Sequence, residues 1–404
     1  MKTKKHITLS LAVLLLLLAL LSACNADASA GLFRQIADSQ APIGIVYRQL
    51  LGINSVLPAI PSKVFYETDE GLFSSTGTVR EKLKAGTVGN LIQHAFYDKT
   101  NNYFLYMTND GTKTVKMFDI TTKTDLSAIT PSDPALSSLR FSRIYPNGIA
   151  LIQGINSTNI QEYSILKYNT STMVFDVTTH KLPSDTSNYD MVSVHMLTGR
   201  TNDPVSASAP VIISLVRNDG SDSHYRHFYY DGTVNPVELP SSSFGTIRFA
   251  GFAVSNTKLY LLSVDGQLFG GTVNGLFTEM IDISDTYSES SFIYAVSSTA
   301  TGNTHIITKP TAKNSFLVLT FSNGATSTSV SSESIKEGYA ESLFATDIVS
   351  ALYIGSGASS DTLLVATNDN GMYKISINYA NANADSSSNG TSSKSEEYDF
   401  TPVP

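Results

Sequence analysis

The sequence predicts an all-β chain in which one small antiparallel unit recurs several times. Three observations carry that expectation. Short apolar or aromatic runs come in pairs joined by Asn, Asp and Gly, and the pairs return at similar intervals along the chain. Charged residues make up only 15% of the chain, while Ser, Thr, Asn, Tyr and Val recur throughout, a composition suited to polar-faced strands joined by turns. The 404 residues suffice for one large all-β domain with a sizeable core.

In chain order, the first element stands apart from the fold. Lys2, Lys4 and Lys5 precede an uncharged run from Ile7 to Leu21 centred on Leu14 to Leu18, a basic n-region followed by an apolar h-region. The run is shorter than the about 20 apolar residues that cross a bilayer. Residues 1–23 are therefore expected to be a cleaved export signal. Behind it, Leu21-Ser22-Ala23-Cys24 resembles the lipobox of bacterial lipoproteins. That resemblance implies that the Cys24 thiol takes a diacylglycerol and begins the mature protein. Cysteine usage agrees, because Cys24 is the only cysteine of the chain and an unpaired thiol outside the cytoplasm is a liability unless modified. The expected result is a protein anchored to a membrane through its N-terminal lipid without spanning it. Asn25 follows where, by resemblance to enteric lipoproteins, an Asp would hold the protein at the inner membrane, so an outer-membrane or cell-surface address is expected in an organism with an outer membrane.

Residues 24–31 are small and polar and read as a tether. From Gly31 to Leu57, Leu32, Phe33 and Ile36 and then Ile45, Val46, Leu50 and Leu51 have helical spacing broken by Pro42. This predicts one or two short helices or an edge strand. The repeats follow. Val64 to Phe73, Leu259 to Phe269 and Leu363 to Tyr373 each read as strand, turn and strand, with Gly71, Gly266 and Gly371 at the turns. Less regular copies begin near Tyr103, Ile149, Val211 and Phe316. Starts near 64, 103, 149, 211, 259, 316 and 363 are separated by roughly 40 to 60 residues, the period of a repeated four-stranded sheet. A ring of such sheets leaves few exposed edges, so a β-propeller of seven blades over residues 32–380 is expected. Six or eight blades, or two-sheet β-sandwich domains, are the alternatives. Residues 381–404, rich in Ser and Asn, read as a disordered tail.

One unit adds a resemblance. Phe104-Leu105-Tyr106-Met107-Thr108-Asn109-Asp110-Gly111, followed by Thr114 to Thr122, resembles the repeat of the YVTN-type β-propellers, with Met107 where that pattern has valine. Ala366-Thr367-Asn368 echoes it. The resemblance implies a propeller fold for the repeat region.

Charge and motifs narrow the function. Loss of residues 1–23 removes three lysines and no acid, which moves the formal charge from −8 to −11. Such a surface repels phosphate backbones, so no nucleic-acid partner is expected. His224 and His227 stand three apart on what reads as a strand, where they face opposite ways and make a poor metal pair. Asp219-Gly220-Ser221-Asp222 reads as a hairpin turn, since it lacks the alternating acids of a calcium loop. No nucleophile elbow is present. The last arginine is Arg248, which argues against a sialidase-like grip on a carboxylate from several blades. No cofactor is called for.

Two functional readings follow. The first is a lipid-anchored binding or scaffold module for an envelope protein or glycan, working through loops on one face. Its candidate residues are Asn202 and Asp203 in the turn-rich stretch 199–209, and the aromatics Tyr225, Tyr229 and Tyr230. The second is a lactonase- or glycan-hydrolase-like enzyme using polar side chains at the channel mouth, with His94, His195, Arg200 and Arg248 as candidates.

Overall fold

A computed structural model describes residues 46–403 apart from connecting segments, chiefly 55–62, 132–135, 201–209, 285–289, 298–301, 311–315, 336–347, 368–371 and 379–397. Residues 1–23, read as an export signal, and residues 24–31, read as a lipidated tether, lie outside the described residues. The described chain forms seven antiparallel sheets, within residues 47–85, 92–129, 136–181, 190–238, 249–282, 290–335 and 348–403. Each holds a meander of four antiparallel strands, consecutive in the chain except in the fourth sheet, where the short strand Gly199–Arg200 intervenes and joins the sixth sheet as a parallel addition; His180–Lys181 adds to the third. This is a propeller-like all-β fold, and the two-sheet sandwich alternative is set aside by the number of separate sheets.

Turn chemistry explains most hairpins. Gly71 (φ 136°) and Gly266 (φ 92°) sit where the second strand of a sheet turns into the third. Asp219 and Asp222 pair directly across the hairpin closed by Gly220 (φ 68°), the turn read from Asp219-Gly220-Ser221-Asp222. Of the seven repeat starts, six fall on the second strand of a sheet; the one near Phe316 falls on the third strand of the sixth sheet, Phe316–Ser322.

One alternative is met and one expectation needs correction. In the segment read as one or two short helices or an edge strand, the described part is the strand Tyr47–Asn54, at the edge of the first sheet. Register shifts between Tyr47 and Gln49 and between Leu50 and Gly52 break its alternation and mimic helical spacing. The tail read as disordered ends in the strand Tyr398–Val403, which pairs along Met372–Asn378 and completes the last sheet.

Successive sheets pack face to face through apolar side chains. Phe65 and Leu72 of the first sheet meet Tyr97 and Phe104 of the second, the Phe65 ring lying 4.5 Å from that of Tyr97 and 5.4 Å from that of Phe104. Gly52 permits this: a Cβ there would stand 2.8 Å from the Tyr97 ring. Leu105 and Val115 meet Phe141 and Leu166, Leu151 and Ile165 meet Ile213 and Phe228, and Ile212 meets Phe252 and Leu261. Tyr260 and Leu268 meet Leu319 and Phe321. Finally Tyr47, Leu50, Tyr66 and Phe73 of the first sheet pack on Leu364, Ala366 and Met372 of the last. Each fully buried side chain of this size contributes roughly 1.5–3 kcal/mol, so the interfaces between sheets carry the fold.

Candidate functional site

The first strand of a sheet lies against the first strands of its neighbours: Tyr47–Asn54 beside Ile92–Asp98 and Ile348–Ser356, and Phe249–Ser255 beside Asp190–Met196 and Ser290–Ser297. These strands therefore surround a common centre. A cleft of about 430 Å³ opens there, lined by Arg48, Gln49 and Leu50 of the first sheet, Arg143 and Asn147 of the third, Met196, Leu197 and Pro210 of the fourth, and Ser350 and Leu352 of the last. The first and third sheets are not sequence neighbours, and only residues near the centre can share one cleft.

The chain makes an excursion at this cleft. It leaves the fourth sheet at Leu197 and returns at Pro210, whose carbonyl accepts the Leu197 N–H at 3.2 Å. Between them, Gly199 and Arg200 add a short parallel strand to Ala295 and Val296 of the sixth sheet. That pairing covers the otherwise open inner edge of Ser290–Ser297.

A buried carboxylate lies beside the cleft. In the second sheet the ladder slips between Gln93 and Phe96, and His94 takes a left-handed backbone (φ 55°), rare outside glycine. The bulge takes the Ala95 N–H out of the ladder. Glu67 of the first sheet, 2% exposed, accepts it at 3.1 Å and is also bonded by the His94 N–H. Burial pushes the Glu67 carboxyl up to about 7, although both N–H groups and the charges of Arg48 and Arg143 pull it down. The same two guanidinium groups, after burial itself, hold His94 down at about 4, so its ring is neutral at pH 7. Among the described residues no ion pair engages Arg48 or Arg143. Arg143 stands 5.2 Å over the Tyr145 ring, which orients it.

A second histidine group joins the fourth and fifth sheets. The His195 Nε2 lies 2.9 Å from the Ser193 hydroxyl. His227, 1% exposed, donates from Nε2 to the Ile247 carbonyl at 2.8 Å, so its Nδ1 accepts from the Ser214 hydroxyl at 2.8 Å. Burial pushes both rings down to about 4, with Arg248 adding to the effect on His195 and His195 to that on His227. These are neutral histidines held by hydrogen bonds.

The sequence candidates are thus divided among several places. His195 meets Arg248, while His94 meets Arg48 and Arg143, neither of which sequence reasoning singled out. The Arg200 backbone lies on the inner edge of the sixth sheet. Asn202 and Asp203 lie outside the described residues. Tyr230 is 1% exposed in the core between the third and fourth sheets, Tyr229 packs edge-on to Phe252, and Tyr225 stacks on His227 with ring centres 6.0 Å apart. Core packing therefore occupies Tyr230. His224 and His227 do not act together: the first is half exposed and 3.9 Å from Asp219, the second buried.

No family model and no curated protein matches the chain. Solved structures give remote likenesses. A chain of the crystal structure of BBS1N in complex with ARL6DN superposes with a TM-score of 0.47 at 9% identity, over 85% of this chain and 95% of that one. The computationally designed Ika8 protein gives 0.43 at 13% identity over 83% and 84%, and a chain of the mitotic checkpoint complex 0.45 at 10% over 77% and 82%. Likenesses this remote bear on neither ligand nor partner.

Proposed function

We propose that this chain is a lipid-anchored envelope lipoprotein whose seven sheets act as the blades of a propeller, and that it works as a binding module with its central cleft as the recognition surface. The observation that carries the reading is the cleft itself, where residues from four sheets converge with two exposed arginines. Its volume falls in the range of roughly 300–1,000 Å³ usual for ligand sites. Leu197 and Pro210, which flank the turn-rich stretch 199–209 in the sequence, both line the cleft. The carboxylate beside the cleft favours binding over hydrolysis: Glu67 is buried and engaged by backbone N–H groups, so it is not presented to a ligand as an acid or base.

The lipid half of the reading is tested by metabolic labelling with palmitate in the native host. Label should enter the wild-type protein and be lost from Cys24→Ser, and a soluble wild type with a free thiol would end the lipoprotein assignment. The binding half is tested with Leu352→Trp, which fills the cleft. The variant should keep its circular dichroism spectrum and lose capture of envelope ligands. Undiminished capture would place recognition elsewhere, and turnover of a lactone or glycan by the wild type would favour an enzyme.

A further inference from the structure

We infer that the central cleft binds an oxyanion, a carboxylate or phosphate carried by a small sugar-sized ligand, gripped between Arg48 and Arg143. The inference rests on the reading of the cleft as the recognition surface and names the chemistry of its ligand. Four observations support it. Arg48 and Arg143 line one cleft although they come from sheets that are not neighbours. Both residues are exposed, and no ion pair engages either of them among the described residues, so their charge is available to a ligand. Other arginines of this chain are engaged: Arg226 holds Glu238 through two hydrogen bonds of 2.7 and 2.6 Å, and Arg217 pairs with Asp219 at 2.9 Å. Two arginines without an ion partner among the described residues, on a protein of formal charge −8, form a local attractor for anions.

The fourth observation is the carboxylate behind them. Glu67 does not neutralise the pair at low pH, because burial disfavours its charged form, and the His94 and Ala95 N–H groups bond it from the second sheet. The groups that face Glu67 are Arg48 on its own sheet, His94 on the second and Arg143 on the third. His94 stays neutral across the physiological range. An anion seated on the arginines would therefore compete only with ionised Glu67.

The test uses isothermal titration of the purified protein with glucuronate, glucose 6-phosphate and uncharged glucose. Saturable binding of at least one anion and none of glucose is expected, weakening as salt is raised. Which anion binds distinguishes a carboxylate from a phosphate ligand. Arg48→Met and Arg143→Met should each weaken binding roughly tenfold or more, as loss of a charge-assisted hydrogen bond does. The distant surface control Lys123→Met should leave it unchanged. Glucuronate, ionised throughout, should bind more tightly at pH 6 than at pH 8, and E67Q should keep the tighter binding at both. Binding of neither anion, or anion binding unaffected by both arginine variants, would overturn the inference. Glucose binding that Leu352→Trp abolishes and the arginine variants leave intact would overturn it while sparing the cleft as recognition surface.

Discussion

Glu67→Gln separates the cost of a buried charge from the value of its hydrogen bonds. In the folded protein burial raises the carboxyl from 4.5 to about 7, while the unfolded chain leaves it near its ordinary value. An acid raised on folding contributes stability that is complete below the unfolded value and is lost as pH rises through about 7. At roughly 1.4 kcal/mol per pH unit, ionised Glu67 costs the fold about 3 kcal/mol above neutrality. Gln keeps an oxygen to accept the Ala95 N–H and cannot ionise. Wild type and variant should therefore melt together near pH 4.5, and the variant should melt higher at pH 8. With an unfolding entropy of about 2.1 cal/mol/K per residue, the difference comes to roughly 4 °C. Melting curves followed by circular dichroism in half-unit steps of pH would measure it, and the difference between the two proteins cancels every other titrating group. Parallel melting across that window, or a variant that melts lower at pH 8, would refute the account of Glu67.

Two further predictions concern the histidines and the C-terminal strand. His227 is held down at about 4, so its contribution is complete above 6.5 and is lost as pH falls through about 4; His227→Gln should be less stable than wild type at pH 7, and its melting midpoint should fall less steeply between pH 6.5 and 4. Deleting residues 398–404 strips the last sheet of its fourth strand and bares the edge of Met372–Asn378, so the truncated protein should melt lower and scatter more light on warming; an unchanged melt would show that the strand adds nothing.

What the sequence made legible was local. Asp-Gly and Glu-Gly turns announce their hairpins because only a few residue types tolerate positive φ. The second strand of the sixth sheet, Asn303–Pro310, escapes notice because its turn into Phe316–Ser322 contains no glycine, whereas Asn323-Gly324 after the third strand stands out. The innermost strands are the least legible. Tyr47–Asn54 carries two register shifts that place Leu50 and Leu51 both in the core, and period-two reading fails there. The candidate site inherits this difficulty. Arg48 and Arg143 stand 95 positions apart and reach one cleft from two sheets, so no spacing in the sequence links them. The His94 backbone and its bulge follow from tertiary packing against Glu67, for which the residues around 94 give no sign. The tail strand was obscured by the Ser-rich stretch before it, although Tyr398 and Phe400 do alternate.

The way the first and last sheets meet governs the order in which the molecule can be completed. Among the described residues no ladder joins residues 47–85 to residues 348–403. Their junction consists of side chains and of the Leu50 N–H donated to the Ser350 hydroxyl at 3.0 Å, groups 300 positions apart. A chain emerges N-terminus first, at roughly 5–20 residues per second during synthesis. The aromatic face of Tyr47, Tyr66 and Phe73 therefore exists on the order of tens of seconds before Leu364 and Met372 arrive to cover it. Until then it is the surface that a chaperone, or the same sheet of a neighbouring chain, would find. The strand Tyr398–Val403 completes the sheet that provides the cover, so the face made first waits on residues more than 300 positions away for its protection.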